Sequence, residues 1–140
     1  MKRIDIIPSP AAYFQSRQIN ESDNMDIIIT IPKDTNWEEY KKEIEAVADG
    51  SEVMNFKVTN FPTKASVGSK CYLAYDGNVM GYMLISGMSE KSFTCSTTGK
   101  YWDGKFIERT GKFYDIEPVK ISGFRGFRYF NLEEYKAQNP

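Results

Sequence analysis

The sequence contains no histidine among its 140 residues. This absence excludes Ser-His-Asp and Cys-His catalysis, imidazole-based acid-base chemistry and the common zinc sites. The two cysteines, Cys71 and Cys95, do not form a CxxC pair, so neither a zinc site nor a redox motif is indicated. We expect both thiols to be reduced, buried and apolar in role. We therefore predict no catalytic residue, no metal ligand and no cofactor.

Long apolar runs and charge of one sign are also lacking. Runs such as residues 27–31 are far shorter than the ~20 residues that span a bilayer, and residues 1–10 lack the apolar region of a signal peptide. The 18 basic and 19 acidic residues give a net charge of −1. No global field then draws the chain to nucleic acid or to an anionic membrane. We expect a cytoplasmic protein with no membrane partner, in which nucleic-acid binding needs a local patch.

Strand and turn signals fill most of the chain. The β-branched run at residues 25–31 ends at Pro32 and predicts a buried strand. From residue 53 onward short apolar segments alternate with turn signals. Residues 76–77, Asp-Gly, predict a two-residue hairpin turn. The Asp-Gly and Thr-Gly pairs at 103–104 and 110–111 predict further turns. The short strands predicted around these two turns are 92–97, 106–108 and 113–116.

One helix is predicted between the first strand and the turn-rich region. Thr35 and Glu38 have the spacing of a capping box, and Gly50 ends the segment. Apolar side chains recur at helical spacing at Trp37, Tyr40, Ile44 and Val47. Because Trp37 lies in phase with this stripe, we interpret it as a core anchor rather than as a ligand platform.

These signals together predict one α+β domain over residues 1–140. Residues 1–50 supply an N-terminal strand and helix, and residues 53–130 form a small, mostly antiparallel β-barrel core with one main packed helix. A chain of this length buries roughly two-thirds of the surface that its unfolded form exposes, so it can fold on one core. Aromatic residues make up 14% of the sequence, which favours strands and a well-filled core.

The most unusual segment is residues 120–130, where three basic and four aromatic residues interleave around two glycines. In an extended strand Arg125, Phe127 and Tyr129 share one face, and Arg128 shares the other with two further phenylalanines. Guanidinium groups beside exposed rings suit single-stranded nucleic acid, because bases stack on rings while arginine meets phosphate. The alternative is a closing strand whose rings fill the barrel and whose arginines pair with surface carboxylates.

A second aromatic cluster lies at residues 100–105. Tyr101 and Trp102 adjoin Lys100 in a stretch with turn signals, where exposed rings are less expected than in a strand. We predict Lys100 and Trp102 as rim contacts of a ligand site. The alternative is that one of the two rings packs beneath the loop.

Residues 67–82 resemble the small PUA-like barrels, in particular the ASCH and EVE groups. They share the Val-Gly-Ser start of a strand, a tight turn and a return strand with a glycine, and residues 123–129 are similar to the closing strand of some members. The resemblance covers about residues 53–130. It implies a pseudo-barrel with a cleft that receives RNA or a modified base. The ASCH signature GxKxxExR would place glutamate at Leu73 and arginine at Tyr75, so no catalytic residue is carried over.

Three functional hypotheses follow. The first is a non-catalytic PUA-like module that binds RNA, single-stranded nucleic acid or a nucleotide-like ligand through Arg125, Phe127, Arg128 and Tyr129, with Lys100 and Trp102 at the rim. The second is a small accessory or phage-type protein that binds and modulates a host protein, since aromatic residues and arginine are common interface anchors. The third, implied by the resemblance, is a nucleobase-directed amidohydrolase that uses lysine, threonine and carboxylates.

Overall fold

The computed structural model describes residues 24–95 and 98–139, which form one sheet of six strands with two helices. The last two residues of the predicted strand 92–97 lie outside this range. The elements in chain order are β1 (Ile27–Thr30), α1 (Trp37–Ala46), β2 (Met54–Val58), β3 (Lys70–Tyr75), β4 (Asn78–Thr94), β5 (Tyr101–Lys120), β6 (Phe127–Tyr129) and α2 (Leu132–Gln138).

The sheet has the order β2-β5-β4-β3-β1-β6. Strands β1 and β3 are parallel, and the other four neighbouring pairs are antiparallel. The sheet curls into a half-barrel, and strands account for 48% of the described residues. The prediction of a mostly antiparallel, barrel-like α+β fold is confirmed at this level. β1 lies between β3 and β6, so the N-terminal strand belongs to the same sheet as the later strands.

Two of the predicted turns are wrong, because residues 103–104 and 110–111 both lie inside the 20-residue strand β5. The predicted strands 106–108 and 113–116 are therefore parts of one strand. Gly111 has a φ of +90° and sits where β5 gains extra residues against β4, between the pairs Tyr82–Tyr114 and Leu84–Thr110. Glycine at positive φ permits such a bulge, which bends a strand without ending it.

The hairpin between β3 and β4 is confirmed. Asp76 and Gly77 have φ values of +49° and +81°, as a two-residue turn between twisted strands requires. Further along β4, Gly81 allows a close approach of β5. A Cβ atom there would lie 2.3 Å from the carbonyl oxygen of Tyr114 and 2.5 Å from the Phe113 ring.

Helix α1 begins one residue later than the capping box predicts. Its N-cap is Asn36, in extended conformation, and the Asn36 side chain accepts a hydrogen bond of 3.1 Å from the backbone N–H of Glu39. Asparagine caps at least as well as threonine, and Trp37 is then the first residue of the helix. Trp37 stacks on Tyr75 at 5.2 Å between ring centroids and packs against the core, as its stripe predicts.

The two faces of the sheet carry two cores. The first lies under α1, and we call this side the α1 face. Its fully buried residues include Ile27, Ile29, Leu73, Ile85 and Ile107. The second lies on the α2 face, where Leu132 of α2 packs against a cluster that contains Ile28, Tyr72 and Val79. Within the described residues no helix has both the length and the apolar character needed to cross a membrane.

Candidate functional site

The predicted nucleic-acid segment is divided between the two faces of the sheet. Phe127 and Tyr129 of β6 are half-buried against the core of the α1 face, with ring centroids 5.6 Å apart. The Tyr129 hydroxyl accepts a hydrogen bond of 3.0 Å from the backbone N–H of Lys64. Arg128 is exposed on the α2 face, with its guanidinium carbon 5.0 Å from the centroid of the Phe124 ring. Arg125 is exposed in the connection before β6.

Lys100 and Trp102 do lie together, but only Lys100 is in the connection before β5. The Lys100 ammonium is 4.5 Å from the centroid of the Trp102 ring. Trp102 belongs to β5 and pairs with Phe93 of β4, which corrects the prediction of a turn. Three strands separate β5 from β6 in the sheet order. The two predicted groups of site residues are therefore placed in different parts of the molecule.

A cavity of about 460 Å³ opens beside Trp102, and we call it the Arg109 cavity. Its walls come from α1, from β2, and from the neighbouring ends of β4 and β5. The residues that matter for its chemistry are Tyr40, Glu43, Trp102, Phe106 and Arg109. Its volume falls within the range of small-molecule sites, which is roughly 300–1,000 Å³.

Arg109 is the most informative residue in this cavity. It is 1% exposed, and its Nη1 donates a hydrogen bond of 3.0 Å to the Tyr40 hydroxyl. Its Nε has no hydrogen-bond partner. Burial alone would lower the pKa of Arg109, but Tyr40 and Cys71 hold the pKa above its ordinary value. The guanidinium is therefore charged at every physiological pH.

No carboxylate in the described residues forms an ion pair with Arg109. A buried charge without a counter-ion is costly, by several kcal/mol even after the surroundings relax. A guanidinium presents five N–H donors in a planar fork that matches a carboxylate or a phosphate. An anionic group in the cavity would supply the missing counter-charge and could accept from the unpaired Nε–H.

The buried position of Arg109 could have been predicted from the sequence if the strand had not been predicted to end before it. Arg109 follows Ile107 by two residues, so in a continuous strand both side chains point to the same buried face. The Thr-Gly pair at residues 110–111 ended the predicted strand before this alternation became visible. An arginine in phase with core residues is unusual, because arginine is almost never fully buried without a partner.

Glu43 of α1 adds a second titratable group to the cavity wall. Burial, and then the neighbouring Glu39, raise the pKa of Glu43 above its usual value. When Glu43 is ionised it opposes the binding of an anion in the same cavity. Its protonation at lower pH therefore favours an anionic ligand.

A different buried charge, Glu108, is fully paired. Its side chain is 1% exposed, and its Oε2 lies 2.5 Å from the Lys91 ammonium and accepts a hydrogen bond of 3.0 Å from Ser89. The Lys91 ammonium is also 5.1 Å from the centroid of the Phe93 ring. Glu108 and Arg109 are successive strand residues and point to opposite faces, so they do not neutralise each other. Of these two adjacent buried charges, only Arg109 therefore lacks an oppositely charged partner among the described residues.

Metal and thiol chemistry find no support in the part of the chain that the structure describes. It contains no group of three or more Cys, Asp and Glu side chains placed to hold a metal ion. Cys71 is buried, as predicted, whereas Cys95 is half-buried, and neither forms a disulfide. Burial raises the pKa of Cys71 to about 11, although Arg109 opposes this shift. Cys71 is therefore a protonated thiol rather than a nucleophile.

A comparison of the chain with protein-family models, curated proteins and solved structures found no match.

Proposed function

We propose that this chain is a non-catalytic, PUA-like module that binds a nucleotide-like ligand in the Arg109 cavity. The observation that carries the proposal is a buried, charged guanidinium that lines a cavity, has no acidic partner among the described residues and keeps one N–H donor unpaired. The negatively charged group of the ligand would bind Arg109, and its ring would contact Tyr40 and Phe56, which line the cavity on the same face of the sheet as Arg109.

Two further features support a nucleotide-like ligand. Lys100 lies over the ring of Trp102, which also lines the cavity, and adds a second positive charge near it. The cavity volume of about 460 Å³ is sufficient for a ring and a phosphate together. The curled mixed sheet with a cavity against its packed helix agrees with the pseudo-barrel and cleft that the PUA-like resemblance implies. Arg125 and Arg128 stay predictions as contacts for a longer nucleic acid.

Thermal unfolding with a panel of nucleoside monophosphates, nucleosides and inorganic phosphate tests this function. We expect nucleoside monophosphates at millimolar concentration to raise the melting temperature, because a ligand at 100 times its Kd stabilises the native state by about 2.7 kcal/mol. Nucleosides without phosphate should stabilise far less, since they cannot neutralise Arg109.

Two arginine variants give a matched comparison. Arg109→Met removes the charge inside the cavity, and Arg128→Met removes an exposed charge on the other face of the sheet. Hydrogen bonds to a charged group contribute about 1.5–3 kcal/mol each, so Arg109→Met should weaken phosphate recognition roughly 10-fold to 100-fold. Arg128→Met should bind like the wild type. Equal binding by Arg109→Met, or no stabilisation by any phosphate compound, would contradict the proposal.

A further inference from the structure

A row of tyrosine rings crosses the α2 face of the sheet, on the side opposite to Arg109. Tyr82 of β4 and Tyr114 of β5 are direct neighbours in register, and their rings are stacked with centroids 4.9 Å apart and an angle of 15° between planes. Tyr72 of β3 continues the row, with its centroid 5.4 Å from that of Tyr82. We call Tyr72, Tyr82 and Tyr114 the tyrosine row.

Two lysines flank the row. The Lys70 ammonium lies 5.0 Å from the centroid of Tyr82, and the Lys112 ammonium lies 5.3 Å from the centroid of Tyr114. Neither ammonium forms an ion pair with a carboxylate of the described residues. Leu84, next on the same face of β4, is 37% exposed. This is the local basic and aromatic patch that a chain of near-zero net charge needs to bind a polyanion.

The row ends at an edge of the sheet. β2 pairs with residues 105–109 of β5, so at Tyr114 β5 has only β4 as a neighbour in the described part of the chain. Tyr114 is therefore the last ring of the row at this edge, and the ammonium of the exposed Lys112 lies over it. At the other end the row is acidic, because Asp26 and Glu133 lie near enough to Tyr72 to help burial raise its pKa to about 12.

From this arrangement we infer that the Tyr114 end of the tyrosine row binds single-stranded nucleic acid. A base stacks on Tyr114 and extends the row, while Lys112 and Lys70 contact the phosphates. Stacking is tolerant of sequence because every base has a π-face, and it requires unpaired bases. Single strands should therefore bind, and duplexes should bind weakly. This surface is separate from the Arg109 cavity and does not depend on the function proposed there.

Fluorescence anisotropy of the full chain with labelled oligouridine, oligothymidine and duplex DNA, across a salt series, tests the inference. Tyr114→Ala should weaken single-strand binding roughly 10-fold or more, which is the usual loss for one stacked base. Tyr114→Phe keeps the ring and should bind like the wild type. Tyr101→Ala removes a tyrosine that is 65% exposed at the opposite end of β5 and should have no effect.

The lysines provide a second readout that does not depend on the tyrosine variants folding. Each phosphate contact contributes about 0.7 to the slope of log affinity against log salt for a single strand, so Lys70→Gln with Lys112→Gln should reduce that slope by about 1.4. The double lysine variant should bind nucleoside monophosphates like the wild type, because neither lysine lines the Arg109 cavity, and this separates the two surfaces.

Three outcomes would overturn the inference. One is the absence of any oligonucleotide binding at low salt. Another is wild-type affinity in both Tyr114→Ala and the double lysine variant. The third is loss of binding in Arg125→Ala with Arg128→Ala while Tyr114→Ala binds normally, which would place the interface at residues 120–130 instead. Stronger binding of either RNA or DNA would identify which of the two single strands the surface prefers.

Discussion

Replacing Arg109 with methionine separates a binding role for this residue from a structural one. Methionine keeps a long, flexible and apolar side chain in place and removes the charge. Desolvation of a buried ion costs several kcal/mol, and the hydrogen bond from Nη1 to the Tyr40 hydroxyl recovers only about 1.5–3 kcal/mol of it. No described carboxylate offsets the rest. We expect Arg109→Met to raise the free energy of unfolding by roughly 1–3 kcal/mol while it weakens phosphate binding roughly 10-fold to 100-fold.

Urea unfolding of wild type and variant without ligand measures this change directly. For a domain of this size each kcal/mol corresponds to a shift of about 2–4 °C in melting temperature, so the gain should be visible by both methods. Arg128→Met, at an exposed position, should stay within about 0.5 kcal/mol of the wild type. A loss of about 2 kcal/mol or more in Arg109→Met would refute the reasoning, because the guanidinium would then be a stabilising part of the core.

Three further predictions concern the charged and titratable groups. Lys91→Met should lower the free energy of unfolding, measured in urea, by about 3–5 kcal/mol, because it leaves the Glu108 carboxylate buried without its partner. Adding Glu108→Gln should recover part of this loss. A loss below about 1 kcal/mol in Lys91→Met would contradict the prediction. Because the pKa of Glu43 is raised, this carboxylate loses its negative charge as pH falls, and phosphate affinity measured by calorimetry should rise toward lower pH. Glu43→Gln should increase the affinity at pH 7 and flatten its dependence on pH. An unchanged pH profile in the variant would show that another group controls the affinity. The Cys71 thiol keeps its proton in the native state up to a pKa of about 11, whereas in the unfolded chain it ionises near 9.0. The stability that this thiol contributes is therefore complete below pH 9 and is lost as pH rises to 11, by roughly 3 kcal/mol at about 1.4 kcal/mol per pH unit. Cys71→Ala should lack this loss. Parallel curves of unfolding free energy against pH for the two proteins would contradict the prediction.

The elements that depend on only a few adjacent residues were predicted correctly from the sequence. The β-branched run before Pro32 forms β1, and the Asp76-Gly77 pair forms the hairpin turn, because both depend on a few adjacent residues. Glycine signals were misleading at Gly104 and Gly111, which lie inside β5 at positive φ. A glycine before a strand end and a glycine in a bulge look alike in sequence, since only the partner strand decides whether pairing continues.

The candidate sites depended on contacts between distant residues and could not be predicted in the same way. Arg109 is buried because β5 pairs with β2 and because Tyr40 of α1 packs over it. Tyr82 and Tyr114 stack only because the register of β4 on β5 places them opposite each other. In the segment at residues 120–130 the alternation of side chains was predicted from strand geometry for the part that forms β6. Which of its rings pack into a core was a tertiary property.

We propose that the buried charge of Arg109 holds a phosphate-bearing ligand. Isothermal titration of a nucleoside monophosphate into the wild-type protein and into Arg109→Met, with Arg128→Met as control, tests it most directly. We expect one binding site per chain in the wild type and in Arg128→Met, and an affinity roughly 10-fold to 100-fold lower in Arg109→Met. Binding of equal strength in all three proteins, or heat of binding in none of them, would contradict the account and favour a protein partner instead.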